Sequence, residues 1–129
     1  MRRSGLVHAE LLGRLTALRH TDSFAVSDSG LPVAAGIPVV DLGVSYGVPG
    51  FAHVLGLVLA EVVVEAACVA TQIERNPAAL AAVVAAGCDV ERVDHEEFKR
   101  RTAACRFVVR TGEATPYANV LLRSGVPFA

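Results

Sequence analysis

Near its C-terminus the chain reads Arg110-Thr111-Gly112-Glu113-Ala114-Thr115-Pro116-Tyr117-Ala118-Asn119, a run of hydroxyl, amide and phenol groups just ahead of the last hydrophobic stretch. Such a run reads as a loop that grips a ligand rather than as a core strand. Tyr117 offers a flat face and a hydroxyl, and Asn119 offers a donor and an acceptor together, which suits a neutral, hydroxyl-rich molecule such as a sugar. If the run is extended, strand alternation points Tyr117 and Asn119 to the same side, with Ala118 between them. The same two residues also suit an edge strand or an interface contact. Thr111, Gly112, Thr115 and Pro116 set the path of the loop, and Glu113 suits either an arginine partner or a ligand.

Three further residues have the chemistry to complete a site. His20 ends the first helical pattern, ahead of Thr21 and Asp22. Imidazole is the side chain best placed to move a proton near neutral pH; the plainer reading is a histidine satisfying the last carbonyls of a helix. Asp28 sits where a short strand gives way to the turn Ser27-Asp28-Ser29-Gly30, and open α/β sheets hold ligands beyond the carboxyl ends of their strands. Its carboxylate suits orienting His20 or accepting bonds from ligand hydroxyls; the plainer reading is an Asx turn. His95 falls in the first turn of a helix that follows a strand. That helix terminus favours neutral imidazole, whereas Asp94, Glu96 and Glu97 favour the cation, so the two effects oppose each other. A ligand contact and a plain surface histidine suit it equally. His8 and His53 lie within helical patterns and stay outside the site.

Other chemistries find little support. His95-Glu96-Glu97-Phe98 lacks the second histidine of an HExxH zinc motif, and no GxGxxG or GxxxxGK[ST] phosphate cradle occurs. No metal and no cofactor are expected. A net charge of -1, scattered basic residues apart from Lys99-Arg100-Arg101, and the absence of Trp argue against nucleic-acid binding. Glu61, Glu65 and Gly56 interrupt the apolar stretches, so no membrane span of about 20 residues is expected. Arg2 and Arg3 precede no hydrophobic block of the signal-peptide kind. Cys68, Cys88 and Cys105 are odd in number and widely spaced, and read as buried free thiols in a reducing cytoplasm.

The elements that must position these groups alternate along the chain. Leu11, Leu12, Leu15 and Leu18 predict a helix over 7–19, and Phe24-Ala25-Val26 a buried strand. Val39–Leu42 is a second strand, and Phe51, Val54, Leu55 and Val58 mark a second helix. Glu61 through Val69 is rich in β-branched residues and predicts a third strand. Asn76-Pro77 opens a helix that Gly87 stops. Val90 and Val93 mark a strand, and Asp94 with Glu97 reads as a capping box for the helix after it. Residues 106–109 and 120–122 supply the last two strands. The pattern is that of one α/β domain over residues 1–129, a layered sandwich whose sheet is mixed or mostly parallel and flanked by helices. A 53% hydrophobic content with a mean hydropathy of +0.47 exceeds what so small a domain hides alone, so a homo-oligomer is expected.

Taken together, His20-Thr21-Asp22, Ser27-Asp28-Ser29-Gly30-Leu31-Pro32, Gly47-Val48-Pro49, His95-Glu96-Glu97-Phe98-Lys99, Arg110-Thr111-Gly112-Glu113, Thr115-Pro116-Tyr117-Ala118-Asn119 and the closing Gly125-Val126 resemble the D-ribose pyranase family, the ribose mutarotases. The match runs almost end to end. The related fucose mutarotases share parts of these motifs, though the TGE–TPYAN and HEEFK versions are closer to the ribose branch. The resemblance implies His20 as catalytic acid/base, with Asp28, His95, Tyr117, Ala118 and Asn119 around the sugar. It also implies a ring-based homodecamer with sites at subunit boundaries, where His20 and Asp28 meet Tyr117 and Asn119 of a neighbouring chain. The implied reaction interconverts β-D-ribopyranose and β-D-ribofuranose, with no redox cofactor, phosphate donor or covalent intermediate. Arg19 departs from the family, which usually has Gly before His-Thr-Asp. The alternatives are a mutarotase for L-fucose or another monosaccharide, and a sugar-binding protein without turnover.

Overall fold

Local capping explains where three of the four α-helices start. In the computed structural model, which describes Met1–Ala129, helix α1 (Ala9–Ala17) is capped by a histidine: the His8 Nδ1 accepts the Leu11 N–H at 3.2 Å. The helix stops two residues short of the expected 19. Its C-terminal carbonyls are covered by Arg19, whose guanidinium donates to Thr16 O and Leu18 O. The function of satisfying a helix end, one reading of His20, therefore belongs to Arg19.

Strand β1 (Ser23–Ser27) and the short β2 (Val39–Asp41) come next, then α2 (Phe51–Glu61) and β3 (Val64–Ala70). The expected strand from Glu61 begins three residues late, because the helix closes with the Val62 N–H on the Val58 carbonyl. A five-residue 3-10 segment, Thr71–Arg75, follows β3. Helix α3 (Pro77–Val84) is capped by the Asn76 side chain on the Ala79 N–H, as the Asn-Pro pair predicts. After β4 (Asp89–Val93), Asp94 caps α4 (His95–Thr102) through the Glu96 N–H. The second half of the expected capping box is not made: Glu97 turns along the helix to Arg100 and Arg101, where opposite charges sit three and four residues away. Strands β5 (Val108–Arg110) and β6 (Val120–Ser124) complete the chain. No helix is long and apolar enough to cross a membrane.

The six strands form one sheet in the order β2-β5-β1-β6-β3-β4. β1 pairs parallel with β5, β5 with β2, and β3 with β4, while β6 runs antiparallel to both β1 and β3. Five strands therefore point one way and β6 points back. The expected mixed α/β sandwich is the fold found. Alternation along the strands separates two faces: Phe24 and Val26, Ala67 and Val69, and Val120 and Leu122 enter the main core with residues of α1, α2 and α3. Cys68, Ala70 and Leu121 face the other side, against Phe98 of α4.

Phe24 is fully buried and stacks on Phe107 with ring centroids 5.2 Å apart. Truncation leaves a cavity that a stacked sheet face cannot collapse around. Phe24→Ala is expected to lower the unfolding free energy by about 3–5 kcal/mol, read from the midpoint of urea denaturation.

Candidate functional site

Strand direction decides which loops meet. The carboxyl ends of β1, β4 and β5 lie along one edge of the sheet, and β6, running backwards, starts there. Residues that follow β1 and β5, that open α4, and that precede β6 are thereby gathered around one cleft. It has a volume of about 390 Å³, and its polar lining includes Asp28, His95, Glu113, Thr115, Tyr117 and Asn119.

Asp28 holds the centre. Its Oδ1 accepts the N–H groups of Gly30 and Leu31, both at 2.9 Å, so the Asx turn is real. Its Oδ2 accepts from Asn119 Nδ2 at 3.2 Å, and its own N–H donates to Asn119 Oδ1 at 2.9 Å. Asn119 is 2% exposed. The reciprocal pair ties the end of β1 to the start of β6. It leaves each amide atom of Asn119 one bond short of its full capacity.

Tyr117 does not lie in an extended run. It has φ 63°, a left-handed conformation uncommon outside glycine, and the Asn119 N–H closes a turn on its carbonyl. Alternation therefore does not place Tyr117 and Asn119 on one side: Asn119 turns inward to Asp28 while Tyr117 meets the edge of His95, ring centroids 5.3 Å apart. His95 is backed in turn by the buried Phe98, whose ring is nearly parallel to it with centroids 6.4 Å apart. Its Nδ1 is buried and has no hydrogen-bond partner in the chain. Ala118 is fully buried in the main core.

Two residues outside the expected site hold the loop in shape. Asn76 Nδ2 donates to Thr115 Oγ1 and Pro116 O while the same amide caps α3. The cap was legible in the Asn-Pro pair; its second contact, 39 residues away, had no local signal. Glu113 lines the cleft and pairs with no arginine. Its Oε1 accepts the Phe51 N–H, supplying the cap that Gly50 lacks for α2, and its Oε2 accepts from Thr115. Its backbone carbonyl accepts both the N–H and the hydroxyl of Ser29. Burial pushes the Glu113 carboxyl up, but the Phe51 N–H and Thr115 outweigh it and hold it below its ordinary value. The neighbouring loop 43–49 is seated on Gly112, where a Cβ would overlap the carbonyl oxygens of Ser45 and Val48.

His20 is not in this cleft. It precedes β1 whereas Asp28 follows it, and five strand residues at about 3.3 Å each, roughly 17 Å, separate the two ends. Asp28 therefore does not orient His20 within a chain; the Nε2 of His20 lies 3.1 Å from Glu65 Oε2 instead. The expected grouping of His20 with Asp28 is replaced by Asp28, His95, Tyr117 and Asn119 of one chain around the cleft, and His20 at the opposite edge of the sheet.

Asn119→Ala strands the Asp28 N–H and loosens both loops, with an expected loss of about 1–3 kcal/mol of stability in urea denaturation. Glu113 supplies a pH test. Because its folded form binds a proton less readily than its unfolded form, its stabilisation is present above the ordinary carboxylate range and is lost as pH falls below about 4. Glu113→Gln should therefore destabilise the protein at pH 7 and narrow the fall in melting temperature between about pH 7 and pH 3.5, followed by calorimetry.

The sequence profile of the RbsD / FucU transport protein family matches residues 1–127. D-ribose pyranase 1 of Rubrobacter xylanophilus is 50% identical over 129 residues, covering 99% of this chain and 100% of its own. The structure of Bacillus subtilis RbsD complexed with D-ribose superposes with a TM-score of 0.93 at 35% identity, over 99% of this chain and 100% of that one. The fucose mutarotase of Streptococcus pneumoniae, solved with L-fucose, shares the fold at a TM-score of 0.76 and 19% identity, over 95% of each chain. With a profile that spans all but two residues and a relative half identical along its whole length, the chain belongs to the RbsD / FucU family.

Proposed function

We propose that this protein is a D-ribose pyranase, an isomerase that interconverts β-D-ribopyranose and β-D-ribofuranose. The observation that carries the reading is the polar cleft itself: its motif residues converge, in a chain half identical to a D-ribose pyranase, on a cavity of monosaccharide scale. Asp28, with one lone-pair site of Oδ2 left after its turn and Asn119 are served, accepts a bond from a sugar hydroxyl. Tyr117 and His95 present an aromatic wall with polar atoms, and Asn119 and the backbone around Ala118 fix the rim. An uncharged ligand needs no phosphate cradle, in keeping with a sequence that has no GxGxxG or GxxxxGK[ST].

The reaction exchanges one C–O bond for another and relocates protons, with no change of oxidation state overall. A base takes the proton of the anomeric hydroxyl, the bond from C1 to the ring oxygen breaks, and that oxygen receives a proton, giving the open aldehyde. Attack by a different hydroxyl on the aldehyde carbon reverses these steps and closes the smaller ring. Holding one hydroxyl near the carbonyl selects the ring that forms. His20 is the group we assign to the proton transfer. Since it lies at the far edge of its own sheet, it serves the cleft of another chain, and one whole domain per chain, in a ring-based decamer, supplies two half-sites. The exposed apolar side chains of Val44, Tyr46, Val63 and Val84 support burial in such an assembly. The three free thiols support a cytoplasmic setting.

Saturation-transfer NMR on ribose should show pyranose–furanose exchange that accelerates in proportion to added protein and exceeds any effect on L-fucose. Unaccelerated exchange with folded protein overturns the reading, and faster fucose exchange reassigns the sugar. His20→Ala and Tyr117→Ala should each abolish most of the acceleration. When the two variants are unfolded and co-refolded together, random assembly leaves roughly a quarter of the boundary sites intact, so activity returns; a mixture as inactive as its parts places both residues in the site of a single chain.

A further inference from the structure

His20 is held by a specific apparatus. The register of the sheet pairs Ser23 of β1 with Arg123 of β6, and Arg123 with Ala66 of β3. The residues just before Ser23, just before Ala66 and at Arg123 are therefore neighbours at one sheet edge. The turn that carries His20 is closed twice: the Asp22 N–H donates to Arg19 O, and the Asp22 carboxylate accepts the Arg19 N–H at 2.9 Å. Thr21 sits at φ 70° and its N–H is held by Ser124 O. A β-branched residue in that conformation is strained, and the turn throws the imidazole across β6 towards β3.

There it meets Glu65. The Nε2 of His20 is 3.1 Å from Glu65 Oε2, and Glu65 Oε1 is held at 2.8 Å by the Arg123 Nε. His20 keeps 54% of its side chain exposed. The other charged groups around it are already engaged, Asp22 with Arg106 at 3.1 Å and Arg19 with the end of α1. A carboxylate only accepts hydrogen bonds, so the nitrogen facing Glu65 must carry the proton. In neutral imidazole this leaves the Nδ1 lone pair pointing away from Glu65, free to act as base.

We propose that Glu65, clamped by Arg123, is a positioning residue that fixes His20 in its Nε2–H tautomer and makes Nδ1 the atom that exchanges a proton with the sugar. This rests on the assignment of His20 to the ring-opening step. Glu65 stays ionised throughout: Nδ1 takes the proton of the anomeric hydroxyl, and the imidazolium so formed is stabilised by the carboxylate until Nδ1 gives its proton to the ring oxygen. The His20 contact, opposed by slight burial and aided by Arg123, holds the Glu65 carboxyl below its ordinary value, as a group that remains charged requires.

The test compares the wild-type assembly with Glu65→Gln and Arg123→Gln. A glutamine amide both donates and accepts, so it keeps the shape but no longer selects a tautomer. Glu65→Gln should lower the turnover of ribose exchange by roughly ten-fold or more with little change in KM. It should also move the pH dependence of exchange to lower pH, because the carboxylate that favours the imidazolium is gone. Arg123→Gln, which frees Glu65 but leaves its charge, should lower turnover less and move the pH dependence the other way, to higher pH. Nitrogen-15 NMR of His20 should report Nε2–H in the wild type and mixed tautomers in Glu65→Gln. Wild-type protein without exchange overturns the functional reading whatever the tautomer. A wild type that exchanges, with a Glu65→Gln variant keeping its rate, pH profile and tautomer, overturns the role of Glu65 alone.

Discussion

A strand that runs against its neighbours must begin where they end. In this sheet β6 is that strand, placed between β1 and β3 with partners on both sides. Its first residue arrives at the edge where the other strands deliver their carboxyl ends, and the loop in front of it is drawn over the turn that follows β1. The Asp28–Asn119 pair then locks the two segments together. Had β6 run the other way, Tyr117 and Asn119 would have faced the opposite rim of the sheet, away from Asp28 and His95.

The same reversal builds a second polar group at the other rim. β6 ends there with Arg123, between the start of β1 and the start of β3, and so gathers His20, Glu65 and Arg123. One chain thus carries a polar groove at one edge and His20, the group we propose for proton transfer, at the other. Separation of this kind ties any joint action of the two to contact between chains, with the edge of one sheet serving the edge of the next.

The cleft is made of loop, yet its polar groups are closely accounted for. Asp28, Asn76, Glu113 and Asn119 each satisfy backbone groups that loops and helix ends leave open. Asn76 and Glu113 also cap α3 and α2, so the helices and the rim of the cleft depend on the same side chains. A ligand would therefore meet donors and acceptors already aimed, with little ordering left to perform.

The sequence by itself determined the alternation of helices and strands, two of the four helix N-caps, and the motifs that mark the family. These rest on interactions within a few residues: Asp94 and Asn76 cap their own helices, and the Asx turn at Asp28 closes within three residues. Boundaries shifted where a neighbour settled them, as when Arg19 rather than His20 covered the end of α1 and Glu61 stayed in its helix. Only the tertiary structure decided that Tyr117 turns left-handed, that Glu113 serves α2, and that His20 answers to Glu65 rather than to Asp28. Each of these depends on strand order and direction, which bring together residues 45 to 91 positions apart. Periodicity and spacing along the chain encode which side chains share a face, but not which strand lies beside which.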